Sequence, residues 1–132
     1  MDNYEYSNIV SFNCRSIKRS IEGVRILCQS ADVVALQETW LLPHDLPLLS
    51  TIDDDFGCTG TSAVDTAAGI LSGRPYGGVA LLWRKSVFEK VSVIECDNVR
   101  VCGIKATVSG KSVVICSIYM PTNSYDNIVE FT

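Results

Sequence analysis

Apolar positions in this chain come in short runs, and their spacing changes from one stretch to the next. The run Asp32-Val33-Val34-Ala35-Leu36-Gln37-Glu38-Thr39-Trp40 sets four apolar residues directly before an amide, a carboxylate and an aromatic. Such a run predicts a strand buried on both faces, as in the middle of a sheet flanked by helices. Glu38 then stands at the C-terminal mouth of that strand, where sites in α/β sheets tend to lie. Taken alone, the stretch is equally a strand end with a solvated glutamate. Upstream, Asn8 to Asn13 reads as a short strand through Ile9, Val10 and Phe12. From Ser16 to Gln29, apolar residues at Ile17, Ile21, Val24 and Cys28 mark one face of a helix, with Ser16 as its N-cap. Gly23 inside that helix costs about 1 kcal/mol relative to alanine. Strand, helix and strand form a βαβ unit, right-handed in about 98% of cases, with its strands parallel. That geometry carries Asn13 and Glu38 to the same sheet edge.

Leu41 to Leu49 holds Pro43 and Pro47, which exclude a long α-helix and predict an irregular or single-turn segment. His44, the only histidine, reads there as an exposed loop residue. A short strand is expected around Phe56. From Thr59 to Gly78 the sequence turns to Gly, Ala, Ser and Thr without periodicity, and a loop of that length is usually functional or mobile. It closes on Gly73-Arg74-Pro75-Tyr76-Gly77-Gly78, where glycines allow close backbone approach and Arg74 is available to a phosphate. No P-loop lysine accompanies it. Val79 to Trp83, Val91 to Cys96, Val99 to Val108 and Lys111 to Tyr119 are β-rich runs parted by Arg84-Lys85, Asp97-Asn98 and Ser109-Gly110, so this half predicts an antiparallel meander of hairpins. Val113 to Tyr119 is apolar on both alternating faces and reads as a buried strand that stops before Pro121. Ser124 to Thr132 starts like a helix and is cut off.

Composition narrows the class. The chain has 132 residues, 47% of them hydrophobic and 20% charged, which suits one domain with its own core. An acidic, polar N-terminus and the lack of a long apolar run point to an intracellular protein, of nucleus or cytoplasm, without a membrane partner. Six cysteines without paired metal spacing read as small buried thiols. A two-residue hairpin at Asp97-Asn98 sets Cys96 against Val99 and Cys102 against Val93. The net charge of −4 and a sequence pI near 4.8 exclude a chain that holds nucleic acid mainly through a basic surface. A phosphate substrate needs a local site or a metal ion.

Asn13, Glu38 and Tyr119 each stand where a predicted strand emerges. A carboxylate beside an amide oxygen makes a hard oxygen site suited to Mg²⁺, which takes one or two carboxylates with waters and substrate phosphate. A tyrosine hydroxyl beside it can bond a phosphate oxygen. A base for water, a second carboxylate and an acid for the leaving group are missing from this set.

Asn13, the Leu36-Gln37-Glu38-Thr39-Trp40 segment, the Gly73 to Ala80 loop-to-strand and Ile118-Tyr119-Met120-Pro121 resemble, in order, the endonuclease/exonuclease/phosphatase family. The likeness is greatest to the apurinic-type endonuclease domain of non-LTR (LINE-type) retrotransposons, and it reaches only the N-terminal half of such a domain. The resemblance implies an α/β fold, the N-terminal half of a four-layered α/β sandwich, mostly one mixed sheet with a helix on its outer face. It implies that residues 1–132 are a partial domain truncated at the C-terminus. It implies Mg²⁺ or Mn²⁺ as cofactor, Glu38 as metal ligand, Asn13 orienting the metal or a carboxylate, and Tyr119 on the scissile phosphate. Arg74, Tyr76 and Asn123 are the implied substrate contacts. Asn123 stands one place later than in many relatives, behind Thr122. Arg15, Lys18 and Arg19 either line the mouth or form a solvated helix face. No counterpart of the family's Gly-Asp-Phe-Asn and Ser-Asp-His segments occurs. The implied partners are DNA, in a full-length domain, and a C-terminal half or reverse-transcriptase region. Three functions stand open: a DNA-nicking Mg-dependent phosphodiesterase, inactive as this chain alone; a non-catalytic remnant that binds a partner over an uncovered apolar sheet face; and a phosphatase of lipid or small-molecule phosphates.

Overall fold

The computed structural model describes residues 7–63 and 77–120. Strand β1 (Ile9–Asn13) leads through helix α1 (Ile17–Ser30) to β2 (Val33–Gln37). A 3₁₀ helix (Pro43–Thr51), β3 (Phe56–Gly60) and β4 (Val79–Arg84) follow, then β5 (Lys90–Ile94), β6 (Val101–Val108) and β7 (Lys111–Ile118). The strands form a four-stranded mixed sheet, ordered β1-β2-β4-β3, and a three-stranded antiparallel sheet, ordered β5-β6-β7. The β1 and β2 strands are parallel neighbours, as the βαβ reading requires, with Asn13 opposite Gln37.

The alternation along β2 and β4 builds three layers. Val34, Leu36, Ala80 and Leu82 face α1 and the 3₁₀ helix, in a core with Ile17, Val24, Cys28 and Leu49. Val33, Ala35, Val79 and Leu81 face the second sheet, against Phe88, Cys102, Ile104 and Ala106. Both strands are therefore covered on both faces, which is why their apolar runs do not alternate with polar residues. Full burial of each valine, leucine or isoleucine among them stabilises the fold by about 1.5–3 kcal/mol.

Several expectations need correction. Ser16 is no side-chain cap: its φ is 90°, and no cap bond forms from its hydroxyl. Its N–H is committed to the Glu38 carbonyl at 2.9 Å, and that bond fixes the backbone on other terms. The segment with Pro43 and Pro47 is a nine-residue 3₁₀ helix rather than a single turn, with Pro43 at its start. Ser50 and Thr51 hydroxyls donate to the Pro47 and Leu48 carbonyls and satisfy its last turn. The predicted meander loses its first strand. With Val79, Ala80, Leu81 and Leu82 fully buried, β4 belongs between β2 and β3, where both faces are covered. Residues 90–118 make a second sheet beside the mixed one. Asp97-Asn98 does not close a two-residue hairpin: Val93 pairs with Ile104 and Ile94 with Gly103, so the connection is wider and Cys102 lies opposite Ser117. Ser109-Gly110 does close one, with φ of 52° and 74° at its two residues and Val108 opposite Lys111.

Strand β7 also departs from the reading. It is an edge strand and mostly exposed, with Val114 at 61% and Ile118 at 50%. Its apolar residues on both faces reflect surface that no described element covers. Cys14, Cys28 and Cys102 are buried thiols as expected, whereas Cys96 and Cys116 are exposed. No described helix is long and apolar enough to cross a membrane.

Two side chains fasten the mixed sheet. Arg84, at the end of β4, donates to the Cys28 and Ala31 carbonyls at the end of α1. It also pairs with Asp32 and Asp55 and stacks on the Phe56 ring, 4.7 Å from its centroid. On the other face, Trp83 lies across Gly57 of β3, and a Cβ there would sit 2.5 Å from the indole. Gly57→Ala therefore has to push the indole off the strand, and we expect a loss of about 1–3 kcal/mol with a shift in tryptophan emission. Urea unfolding of the variant checks it; unchanged stability would mean that the indole is not held against Gly57.

Candidate functional site

The site grows from the C-terminal end of β2. Beyond Gln37 the chain bonds on both sides. The Cys14 N–H donates to the Gln37 carbonyl, Ser16 to Glu38 and Ile17 to Thr39, at 2.9, 2.9 and 3.0 Å. On the other side the Thr39 N–H reaches the Gly78 carbonyl at 3.2 Å and the Trp40 N–H that of Gly77 at 2.9 Å. Within this lacing Arg15, Ser16, Glu38 and Trp40 all have positive φ, at 43°, 90°, 55° and 57° in that order. Non-glycine residues in that region cost of order 1–3 kcal/mol each and persist only where the surroundings over-determine them. The two loops are held by each other. Gly77 and Gly78, at φ of 84° and 88°, supply the close approach from the β4 side. A Cβ on Gly78 would meet the Thr39 hydroxyl at 2.6 Å and the Thr61 carbonyl at 3.0 Å.

The second sheet reaches the same end through β7. The Gln37 side chain donates from Nε2 to Ser117 Oγ at 3.1 Å, and Ser117 Oγ donates to the Leu36 carbonyl at 2.8 Å. Two residues further on, Tyr119 leaves the strand, its N–H bonded to the Arg100 carbonyl at 3.0 Å. Its phenol pKa is raised, first by desolvation and then by the negative charge of Glu38, with Arg100 acting in the opposite sense. Glu38 and Tyr119, on different sheets, are thus within electrostatic reach. Behind Glu38, the Cys14 thiol donates to the Gln37 carbonyl at 3.2 Å and lies 3.6 Å from that of Glu38. Burial pushes its pKa up to about 12, with Glu38 adding to the rise, so this thiol is inert packing rather than a nucleophile.

Of the sequence candidates, Asn13, Glu38 and Tyr119 emerge at one edge. Asn13 is exposed at the end of β1, opposite Gln37, while Glu38 and Tyr119 are half-buried. Arg74, Tyr76 and Asn123 lie outside the described residues, as does most of the Gly73 to Gly78 loop. His44 is exposed, with its Nε2 3.7 Å from Asp45. Lys18 is paired with Asp45 at 3.1 Å on the helix surface, and that bond chiefly draws the Asp45 pKa down. Arg15 and Arg19 are exposed. Two contributors escaped the sequence reading. Arg100 sits in the β5–β6 connection with no motif around it, and Ser117 stands in an apolar run as an ordinary small residue. The signal for Ser117 was its place two residues before Tyr119, near the end of β7.

A hard divalent ion would meet one carboxylate, Glu38, and one amide, Asn13. Among the described residues no group of three His, Cys, Asp or Glu side chains gathers to hold a metal. That donor set fits an ion of the Mg²⁺ type, which keeps several waters and completes its shell with substrate phosphate.

The sequence matches the model of the endonuclease/exonuclease/phosphatase family over residues 10–126. A search of curated proteins by sequence finds no match. Among solved structures, an AP endonuclease from Leishmania major superposes with a TM-score of 0.66 at 13% identity, over 95% of this chain and 44% of that one. A mannosyl-6-phosphatase from Bacteroides thetaiotaomicron gives 0.64 at 15%, over 95% and 55%. A 3′ phosphatase from Neisseria, bound to a product DNA hairpin, gives 0.57 at 24%, over 87% and 42%. At these identities the likeness is one of fold, and this chain spans about half the length of those proteins or less.

The Tyr119 phenol carries a titration that reports the site. Because folding raises its pKa above the ordinary 10.0, its contribution to stability is intact below that value and is lost as pH rises through the folded one. Glu38→Gln removes one cause of the rise, so the phenol should ionise at lower pH in that variant. A ¹³C-tyrosine pH titration, assigned with Tyr119→Phe, reads the shift; an unchanged or higher pKa would show that the carboxylate does not face the phenol.

Proposed function

The chain belongs to the endonuclease/exonuclease/phosphatase family, and on that premise we propose that it carries the metal- and phosphate-binding corner of a divalent-metal-dependent phosphodiesterase. The substrate class we infer is DNA, and the reaction is nicking of the kind carried out by the endonuclease of a non-LTR (LINE-type) retrotransposon. The observation that supports the reading is the bonding of Ser117 to Gln37 and to the Leu36 carbonyl, which brings the end of β7 before Tyr119 to the end of β2 before Glu38, at the edge where Asn13 ends β1. The Gly73-Arg74-Pro75-Tyr76-Gly77-Gly78 segment of the sequence supports the retroelement branch. Residues 1–132 act in this reading as one part of a larger nuclease domain.

The roles follow from placement. Glu38 and Asn13 hold Mg²⁺ or Mn²⁺, which when bound supplies charge neutralisation at the phosphoryl oxygens. The Tyr119 hydroxyl keeps its proton well above neutral pH and donates it in a hydrogen bond to a phosphate oxygen. Arg100, beside Tyr119, adds positive charge to the same lip. Arg74, Tyr76 and Asn123 are the further substrate contacts we propose from the family motifs. Nothing among the described residues is placed to take a proton from water, and a positioned acid or base is worth about 10²–10⁴-fold.

A non-catalytic, partner-binding role is the second reading. It is favoured by the exposed Val113, Val114 and Ile118 on β7. Two measurements separate the readings. Mn²⁺ binding to residues 1–132, followed by electron paramagnetic resonance, is expected to be weak and to vanish in Glu38→Ala; equal binding by both proteins removes Glu38 from the metal site. Plasmid incubated with residues 1–132 and Mg²⁺ should stay supercoiled. Efficient nicking, lost in Glu38→Ala, would instead mean that these residues form a complete catalyst.

A further inference from the structure

Beneath the three candidate residues runs a continuous row of polar side chains. Ser11 Oγ donates to Gln37 Oε1 at 3.3 Å, Gln37 Nε2 donates to Ser117 Oγ at 3.1 Å, and Ser117 Oγ donates to the Leu36 carbonyl at 2.8 Å. The row crosses β1, β2 and β7, and so joins the two sheets. Each member lies one or two positions before a candidate: Ser11 before Asn13, Gln37 before Glu38, Ser117 before Tyr119. Positions two apart on a strand share a face, so on β1 Ser11 lies directly below Asn13, and on β7 Ser117 is the last buried residue before the chain leaves the strand at Tyr119.

Ser117 is the pivot. It is 1% exposed, and of the buried polar side chains among the described residues only Thr39 stands with it. The Thr39 hydroxyl has no partner among those residues, whereas Ser117 makes two bonds. Its single proton is spent on the Leu36 carbonyl, so toward Gln37 it acts as acceptor. That choice turns the Gln37 amide, leaving Oε1 for Ser11. Around the row the sheets meet through Val33, Ala35, Ile104 and Ala106, and apolar contact of this kind is non-directional. The directional bonds set how far β7 lies along β2.

We propose that Ser117 is a positioning residue, which fixes β7 on the end of β2 and thereby sets Tyr119 against Glu38 and Asn13. The proposal deepens the reading of the site given above and rests on it for what the positioned residues do. Two variants test it in residues 1–132. Ser117→Ala removes both bonds. Gln37→Met removes the Ser11–Gln37 and Gln37–Ser117 bonds and leaves Ser117 held to the Leu36 carbonyl across the sheets, so it weakens the row without emptying the Ser117 position and carries the test if Ser117→Ala does not fold.

Amide hydrogen exchange by NMR is the first readout. The Thr39, Trp40 and Tyr119 amides, bonded to Gly78, Gly77 and Arg100, should exchange about tenfold faster or more in a folded variant while α1 amides keep their protection. A uniform rise, or no change at these three amides, overturns the proposal, because a merely structural serine loosens the whole fold or nothing. Mn²⁺ affinity is the second readout and should fall severalfold with Glu38 intact. If the three amides loosen while Mn²⁺ affinity holds, Ser117 does not serve the site and the proposal fails. If the wild-type protein binds no Mn²⁺ and the three amides still loosen selectively, the metal reading fails while the positioning of Tyr119 stands.

Discussion

Burial of β2 on both faces is the constraint from which the rest of the arrangement follows. Its even-numbered residues need the helix layer and its odd-numbered ones need the second sheet, and no register slip is open that would leave both satisfied. With the strand so fixed, its end is fixed too. Gln37 continues the odd-numbered face and meets Ser117, and Glu38 begins where regular pairing stops. The carboxylate occupies a rigid place because its strand has nowhere else to go.

Rigidity at that end is obtained at a local cost. Left-handed backbone at Glu38 and Trp40 faces left-handed backbone at Arg15 and Ser16, and the two loops are stabilised by bonds between them and to Gly77 and Gly78. The same commitments displace ordinary devices. Ser16 makes no side-chain cap, with its backbone at a φ of 90° and its amide bonded to the Glu38 carbonyl, and the Thr39 hydroxyl is left buried, without a partner among the described residues, against Gly78. Departures from local preference are thus concentrated around the residues read as functional, as expected where strain serves a site.

Much of this was legible in the sequence for identifiable reasons. Periodicity marked α1, the unbroken run marked β2, and the Ser109-Gly110 pair marked one hairpin, since each rests on interactions local in sequence. The βαβ unit carried Asn13 and Glu38 to one sheet edge, while Tyr119 was legible only as the end of a later strand. What was not legible depends on which strands pair. A fully apolar run fits either a strand covered on both faces or an edge strand with bare apolar surface, so β2 and β7 read alike and proved opposite. The wide β5–β6 connection took the Asp97-Asn98 signal out of register for the same reason. Ser117 and Arg100 act through contacts with residues far along the chain, and nothing in their neighbours announces them.

The Arg84 clamp bears on the order in which the molecule assembles. The last carbonyls of α1, at Cys28 and Ala31, are taken up by a side chain from β4, more than fifty positions later. A nascent chain that has finished only β1, α1 and β2 therefore holds a helix whose final turn is still hydrated. Docking of β4 fills the sheet and caps the helix in one event, so the first crossover unit and the fourth strand gain their stability together.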